Sequence, residues 1–102
     1  MEKIFFTIAG VDYFHGSDFM EPEMRVHLVK DPDNDYDNEA IKVEMEGIGQ
    51  VGHVANSVHT VLGESYSAGR LYDKIGETAE GIVQYVLPRG VVCYIDPESC
   101  IG

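Results

Sequence analysis

Two seven-residue runs constrain this chain more than any other feature. In Met24 to Lys30, the residues Met24, Val26 and Leu28 alternate with Arg25, His27 and Val29. In Ala40 to Glu46, the residues Ile41, Val43 and Met45 alternate with Lys42, Glu44 and Glu46. Strand side chains point to opposite faces in turn, so an apolar residue at every second position makes a strand with one face in a core and the other in water. The stretch between the runs, Asp31 to Glu39, is rich in Asp and Asn and reads as a turn. Gly47 to Gly49 then makes a hairpin turn into the apolar run Gln50 to Val54.

The rest of the chain continues this pattern. Glu2 to Ala9 reads as a strand with Ile4, Phe6 and Ile8 on one face. Gly10 and Gly16 bracket a turn carrying Tyr13, Phe14 and His15, and Ser17 to Glu23 is loop. Ala55 to Tyr66 is the one helical candidate. Asn56 or Ser57 can cap it, Val58, Val61, Leu62 and Tyr66 form its apolar stripe, and Gly69 stops it. Leu71 to Val86 holds two short elements, the second a strand over Glu80 to Leu87. Pro88 to Gly90 turns the chain into a last strand, Val91 to Ile95. The expectation is a mainly β fold, a small barrel of about six strands with its main α-helix inside Ala55 to Gly69. With 102 residues, one domain over the whole chain is expected.

Composition narrows the function classes. No run of ~18 apolar residues is present, so no membrane span is expected. The start, MEKIFFTIAGVDYF, has a short apolar run and no small-residue cleavage site, so it does not read as a signal peptide. With no linker or helicase motif in view, the expected setting is a stand-alone domain in the cytoplasm. Cys93 sits in an apolar run and reads as a buried thiol, and Cys100 lies in the tail. Their spacing fits neither a redox pair nor a zinc site. His15, His27, His53 and His59 show no metal-ligand spacing, and no phosphate loop, nucleophile elbow or Cys/His pairing is present. No catalysis and no cofactor are expected.

The acidic turn carries the chemistry. It presents Tyr36 between Asp35 and Asp37. A tyrosine on a turn can stack on a nucleobase for ~1–3 kcal/mol. A carboxylate beside it can accept a hydrogen bond from a hydroxyl and would repel a phosphate. The structural alternative is that Asp33 and Asp35 form the turn and Asp37 binds nearby backbone N–H groups. Asp33, Asp35, Asp37 and Glu44 also fall at positions 1, 3, 5 and 12 of a calcium-loop template, with Asn38 in place of its glycine. That template joins two helices, whereas strand patterns flank this turn, so a calcium loop is not expected.

Three blocks of this sequence resemble the HIRAN domain, a module found near the N-terminus of certain SWI/SNF-type DNA-repair helicases. They are Gly10-Val11-Asp12-Tyr13-Phe14-His15-Gly16, the run Asp31-Pro32-Asp33-Asn34-Asp35-Tyr36-Asp37-Asn38-Glu39-Ala40-Ile41, and Gln50-Val51-Gly52-His53-Val54. The resemblance covers roughly Ile4 to Val86. It implies an OB-like barrel that binds nucleic acid, specifically the 3′ end of single-stranded DNA, with Tyr13, Asn34, Tyr36, Asp37, His53 and Tyr85 at the site. Tyr13 would be a second stacking ring and His53 would reach phosphate. Read from residues alone, Tyr13 is a rim aromatic, His53 a strand-end imidazole without duty, and Tyr85 a core residue. Phe14, beside Tyr13, is also assigned to the core.

The sequence departs from that family pattern where charge matters. Asp12 and Asn56 stand where bases are expected in DNA-binding members, Asp35 replaces a proline, and Glu39 replaces an asparagine. The formal net charge is −11, from 18 acids and 7 bases. Long duplex nucleic acid, bound mainly through phosphate neutralisation, is a poor partner for such a chain. A short single-stranded end held by stacking remains open. So does a different class, an acidic protein-interaction module that recruits a basic partner through Asp31 to Glu39. Lys42 is the only base in Asp31 to Val43 and reads as a solvated strand residue.

Overall fold

The computed structural model describes residues 3–31, 33, 40–56, 63 and 65–99. Six antiparallel strands form a closed barrel: β1 (Phe5–Ala9), β2 (Arg25–Asp31), β3 (Ala40–Met45), β4 (Gly49–Val54), β5 (Thr78–Leu87) and β6 (Gly90–Ile95). Their order around the barrel is β1-β4-β3-β2-β5-β6, so no strand edge is left open.

The period-two runs bury the residues expected of them. Phe6, Ile8, Val26, Leu28, Ile41, Val43 and Met45 point into the core. They meet Val51, Val54, Val83, Val91, Cys93 and Ile95 from the other strands. Thr7 is also buried, although it alternates with the inward pair Phe6 and Ile8. Burial pushes the Cys93 thiol up to about 12. On the outer surface Arg25 donates to Asp96 at 2.6 Å, and this hydrogen bond holds the Asp96 carboxyl below its ordinary value. His27 pairs with Glu80 across β2 and β5.

The helix departs from the sequence expectation. The stripe residues Val58, Val61 and Leu62 and the alternative cap Ser57 lie outside the described residues. The one described α-helix, α1, spans Ala68–Tyr72. Its N-cap is Ser67, whose hydroxyl accepts from the Arg70 N–H at 3.4 Å. Gly69 therefore lies inside α1 and does not end it. Its N–H donates to the Asn56 side-chain oxygen at 2.9 Å, so Asn56 does act on a helix start, from 13 residues upstream. Tyr66, expected on a helical stripe, instead bridges to Phe6 in parallel. Leu71 and nearby Ile75 are fully buried and join the core cluster.

Two β-bulges decide which side chains face out. On β4, Gln50 opposes Glu44 and Gly52 opposes Val43, which leaves Val51 as an extra residue. On β5, Val83 opposes Cys93 and Tyr85 opposes Val92, which leaves Gln84 extra. An extra residue shifts the alternation by one and sends every later side chain to the other face.

Candidate nucleic-acid interface

β1 ends at Ala9, and the chain turns at Gly10 into a 3-10 segment, Val11–Tyr13. Gly10 has φ of 72°, a left-handed conformation that a side chain strongly disfavours. The space beside it is also occupied. A Cβ built on Gly10 would stand 2.7 Å from Cε1 and 3.0 Å from Nδ1 of His53, and 3.8 Å from Cδ2 of Tyr13. Two candidate residues, 40 positions apart in the chain, thus flank the same bare stretch of backbone. The pairing of Ala9 with His53 between β1 and β4 sets this up.

The close approach of these strands needs a second glycine. A Cβ on Gly52 would lie 2.7 Å from the Ala9 carbonyl oxygen and 2.7 Å from Cγ2 of Ile8. The bulge then determines where His53 points. Counted back from the Gly49–Met45 pair without an extra residue, His53 would oppose Ile41 on the inner face. With Val51 extra, it opposes Lys42 on the outer face.

The imidazole of His53 is accessible from outside and covered by Gly10 on one edge. Desolvation on that edge lowers its pKa below the ordinary 6.5, so it is neutral at pH 7. A neutral imidazole still offers one N–H donor. The Tyr13 ring is 89% exposed, far beyond what a rim aromatic needs to cover a core. Phe14 was expected in the core but is 43% exposed. The reason is local. A 3-10 turn does not throw neighbouring side chains to opposite sides as an extended chain does.

Tyr85 also overturns its core assignment. Ala79, Gly81 and Val83 face inward on β5, so strict alternation would put Tyr85 inside. The extra residue Gln84 turns it out, to 55% exposure, and brings Val86 against the core instead. Tyr85 opposes Val92, which on its other side opposes Thr7 of β1. One strand, β6, separates it from β1, a spacing of roughly 10 Å.

His53 and Tyr13 therefore meet at the end of β1, with Tyr85 on the outer surface beyond β6. Asn34, Tyr36 and Asp37 lie outside the described residues, as does most of the acidic turn. The turn's flanks are described. Asp31 and Ala40 are paired, and Ala40 is two residues along β3 from Lys42, roughly 7 Å. The strands β2 and β3 on either side confirm the flanks that argued against a calcium loop. Among the described residues, no group of three His, Cys, Asp or Glu side chains is placed to hold a metal ion. No helix among them is long and apolar enough to cross a membrane.

Sequence reading missed the juxtaposition of Lys42 and His53. The hairpin turn at Gly47 to Gly49 was the available signal, but a bulge-free count from it pairs Lys42 with Gly52 and misses His53. Gly10 reads from the sequence as a turn bracket and the start of the first family block, and neither reading shows the close approach of His53 to it.

A search of the curated proteins found no match. Among solved structures, the chain is similar to the HIRAN domain of human HLTF, at 24% identity and a TM-score of 0.60, over 91% of this chain and 74% of that one. That likeness agrees with the barrel architecture. The family model described as HIRAN domain matches residues 1–90. The chain belongs to the HIRAN domain family.

Proposed function

We propose that this domain is a non-catalytic module that binds nucleic acid and holds the 3′ end of a single DNA strand. Membership of the HIRAN family, a family of nucleic-acid-binding modules, supports the broad class. The observation that carries the reading is the meeting of an 89% exposed Tyr13 with His53 at the notch over Gly10. An exposed ring beside a neutral donor suits a flat base and the polar groups attached to it. Tyr13 and Tyr36 share one shallow groove in this proposal, Tyr85 extends it, and Asn34 is a polar contact in the same turn. Asp37 accepts from the terminal 3′-hydroxyl and repels a 3′-phosphate by charge.

The test is fluorescence anisotropy with labelled single strands bearing free or phosphorylated 3′ ends, at two salt concentrations. Tyr36→Ala should weaken binding to every strand by about 5- to 150-fold, the equivalent of ~1–3 kcal/mol of stacking. Asp37→Ala should chiefly erase the preference for the free end. A wild-type protein that binds neither strand at low salt, or both ends equally, would overturn end recognition. The net charge of −11 then favours an acidic module that recruits a basic protein.

A further inference from the structure

All seven bases of this acidic chain lie among the described residues. Four are committed within the fold. Lys3 stands 4.2 Å over the Tyr94 ring, and Arg25 pairs with Asp96 at 2.6 Å. Lys30 donates to the Ile75 carbonyl at 2.9 Å and lies over Tyr72, while Arg70 lies over Tyr66. Lys42, Lys74 and Arg89 make no such contact with any described residue, and of these three only Lys42 lies on a strand beside His53. It sits on the outer face of β3, directly opposite His53 on β4 and Val29 on β2. In the row His53, Lys42, Val29 it is the one charge at pH 7.

We infer that Lys42 is the phosphate-binding residue of the interface, gripping the backbone of a single-stranded nucleic acid beside the Tyr13–His53 notch. This rests on the nucleic-acid reading above and adds a residue to it. Side chains directly opposite across an antiparallel pair have Cβ atoms roughly 5 Å apart, so an ammonium on Lys42 and an N–H on His53 can reach one phosphate together. His53 is pinned against Gly10 and gives a directed hydrogen bond without charge. The salt-dependent part of phosphate binding comes from a cation. Asp12 cannot supply one, and neither can Asn56, whose side chain is engaged with Gly69. Lys42 fills that role from the neighbouring strand.

The experiment is the salt dependence of binding to a labelled single-stranded oligonucleotide, for the wild type, Lys42→Gln, Lys42→Arg and Lys3→Gln. Each phosphate neutralised on a single strand contributes a slope of about −0.7 in log K against log salt. Lys42→Gln should make the slope shallower by about 0.7 and weaken low-salt binding by roughly 5- to 10-fold. Lys42→Arg should keep both, because the charge remains. Lys3→Gln removes the same charge from a base committed to Tyr94 and should leave the slope unchanged. If Lys42→Gln leaves the slope as in the wild type, or Lys3→Gln changes it equally, the assignment is overturned while binding itself stands. If the wild type binds no oligonucleotide at low salt, the nucleic-acid reading fails and takes this assignment with it.

Discussion

Replacing Gly52 with alanine tests the barrel at the point where β4 passes closest to β1, beside the candidate interface. Gly52 has no left-handed φ, so alanine brings no backbone strain. With free space around it, Gly52→Ala would stabilise the protein by ~0.4–1 kcal/mol through a less flexible unfolded chain. The space is not free. The new methyl would stand 2.7 Å from the Ala9 carbonyl oxygen and 2.7 Å from Cγ2 of Ile8, where ordinary contact begins at 3.4 Å. The neighbours must retreat by about 0.7 Å. The isoleucine is fully buried and the oxygen belongs to the backbone of β1, so neither moves freely. Overpacking of this kind costs ~1–3 kcal/mol. Taking about 2 kcal/mol as the centre, the melting temperature should fall by roughly 8–16 °C for a domain of this size. Gly16→Ala is the comparison. Its φ is 71° with nothing within 4 Å of the added carbon, so its loss is conformational alone, about 1–2 kcal/mol. Thermal and urea melts of both variants decide the matter. A Gly52→Ala protein as stable as the wild type, or more stable, would refute the close approach of β4 to β1.

Two further outcomes follow from burial. With its thiol held at about 12 against an ordinary 9.0, Cys93 should carry about 1,000-fold less thiolate than a free thiol at pH 8. In a Cys100→Ser background, a thiol reagent should therefore react with Cys93 only when denaturant unfolds the barrel, and the stability tied to this thiol, present below pH 9, should decline as the pH rises toward 12; rapid native-state labelling would contradict both. Tyr85→Ala should change stability by no more than ~0.5 kcal/mol, as for an exposed site, whereas a core aromatic would lose ~3–5 kcal/mol; a loss above ~2 kcal/mol in a urea melt would return Tyr85 to the core.

Elements whose own residues carry a period were legible without any structure. The alternations in Met24 to Lys30 and Ala40 to Glu46 became β2 and β3, and Glu80 to Leu87 and Val91 to Ile95 lie within β5 and β6. The helix was harder to place, because a hydroxyl cap at Ser67 and a distant side-chain contact from Asn56 start α1 where apolar spacing gave no sign. Among the candidate site residues, the family blocks marked Tyr13 and His53, and the fold brings both to Gly10.

What the sequence determined by itself is the β class, the inward set Phe6, Ile8, Val26, Leu28, Ile41 and Val43, and membership of a family through blocks of fixed spacing. Those features depend on residues near one another in the chain. The outward aim of His53 and Tyr85, and the placement of Lys42 beside His53, were decided only by the tertiary structure. Each depends on strand register, and each register turns on one extra residue, Val51 or Gln84. Because strand side chains repeat every two residues, one bulge reverses the face of everything beyond it, and the alternation pattern alone does not mark where that bulge falls.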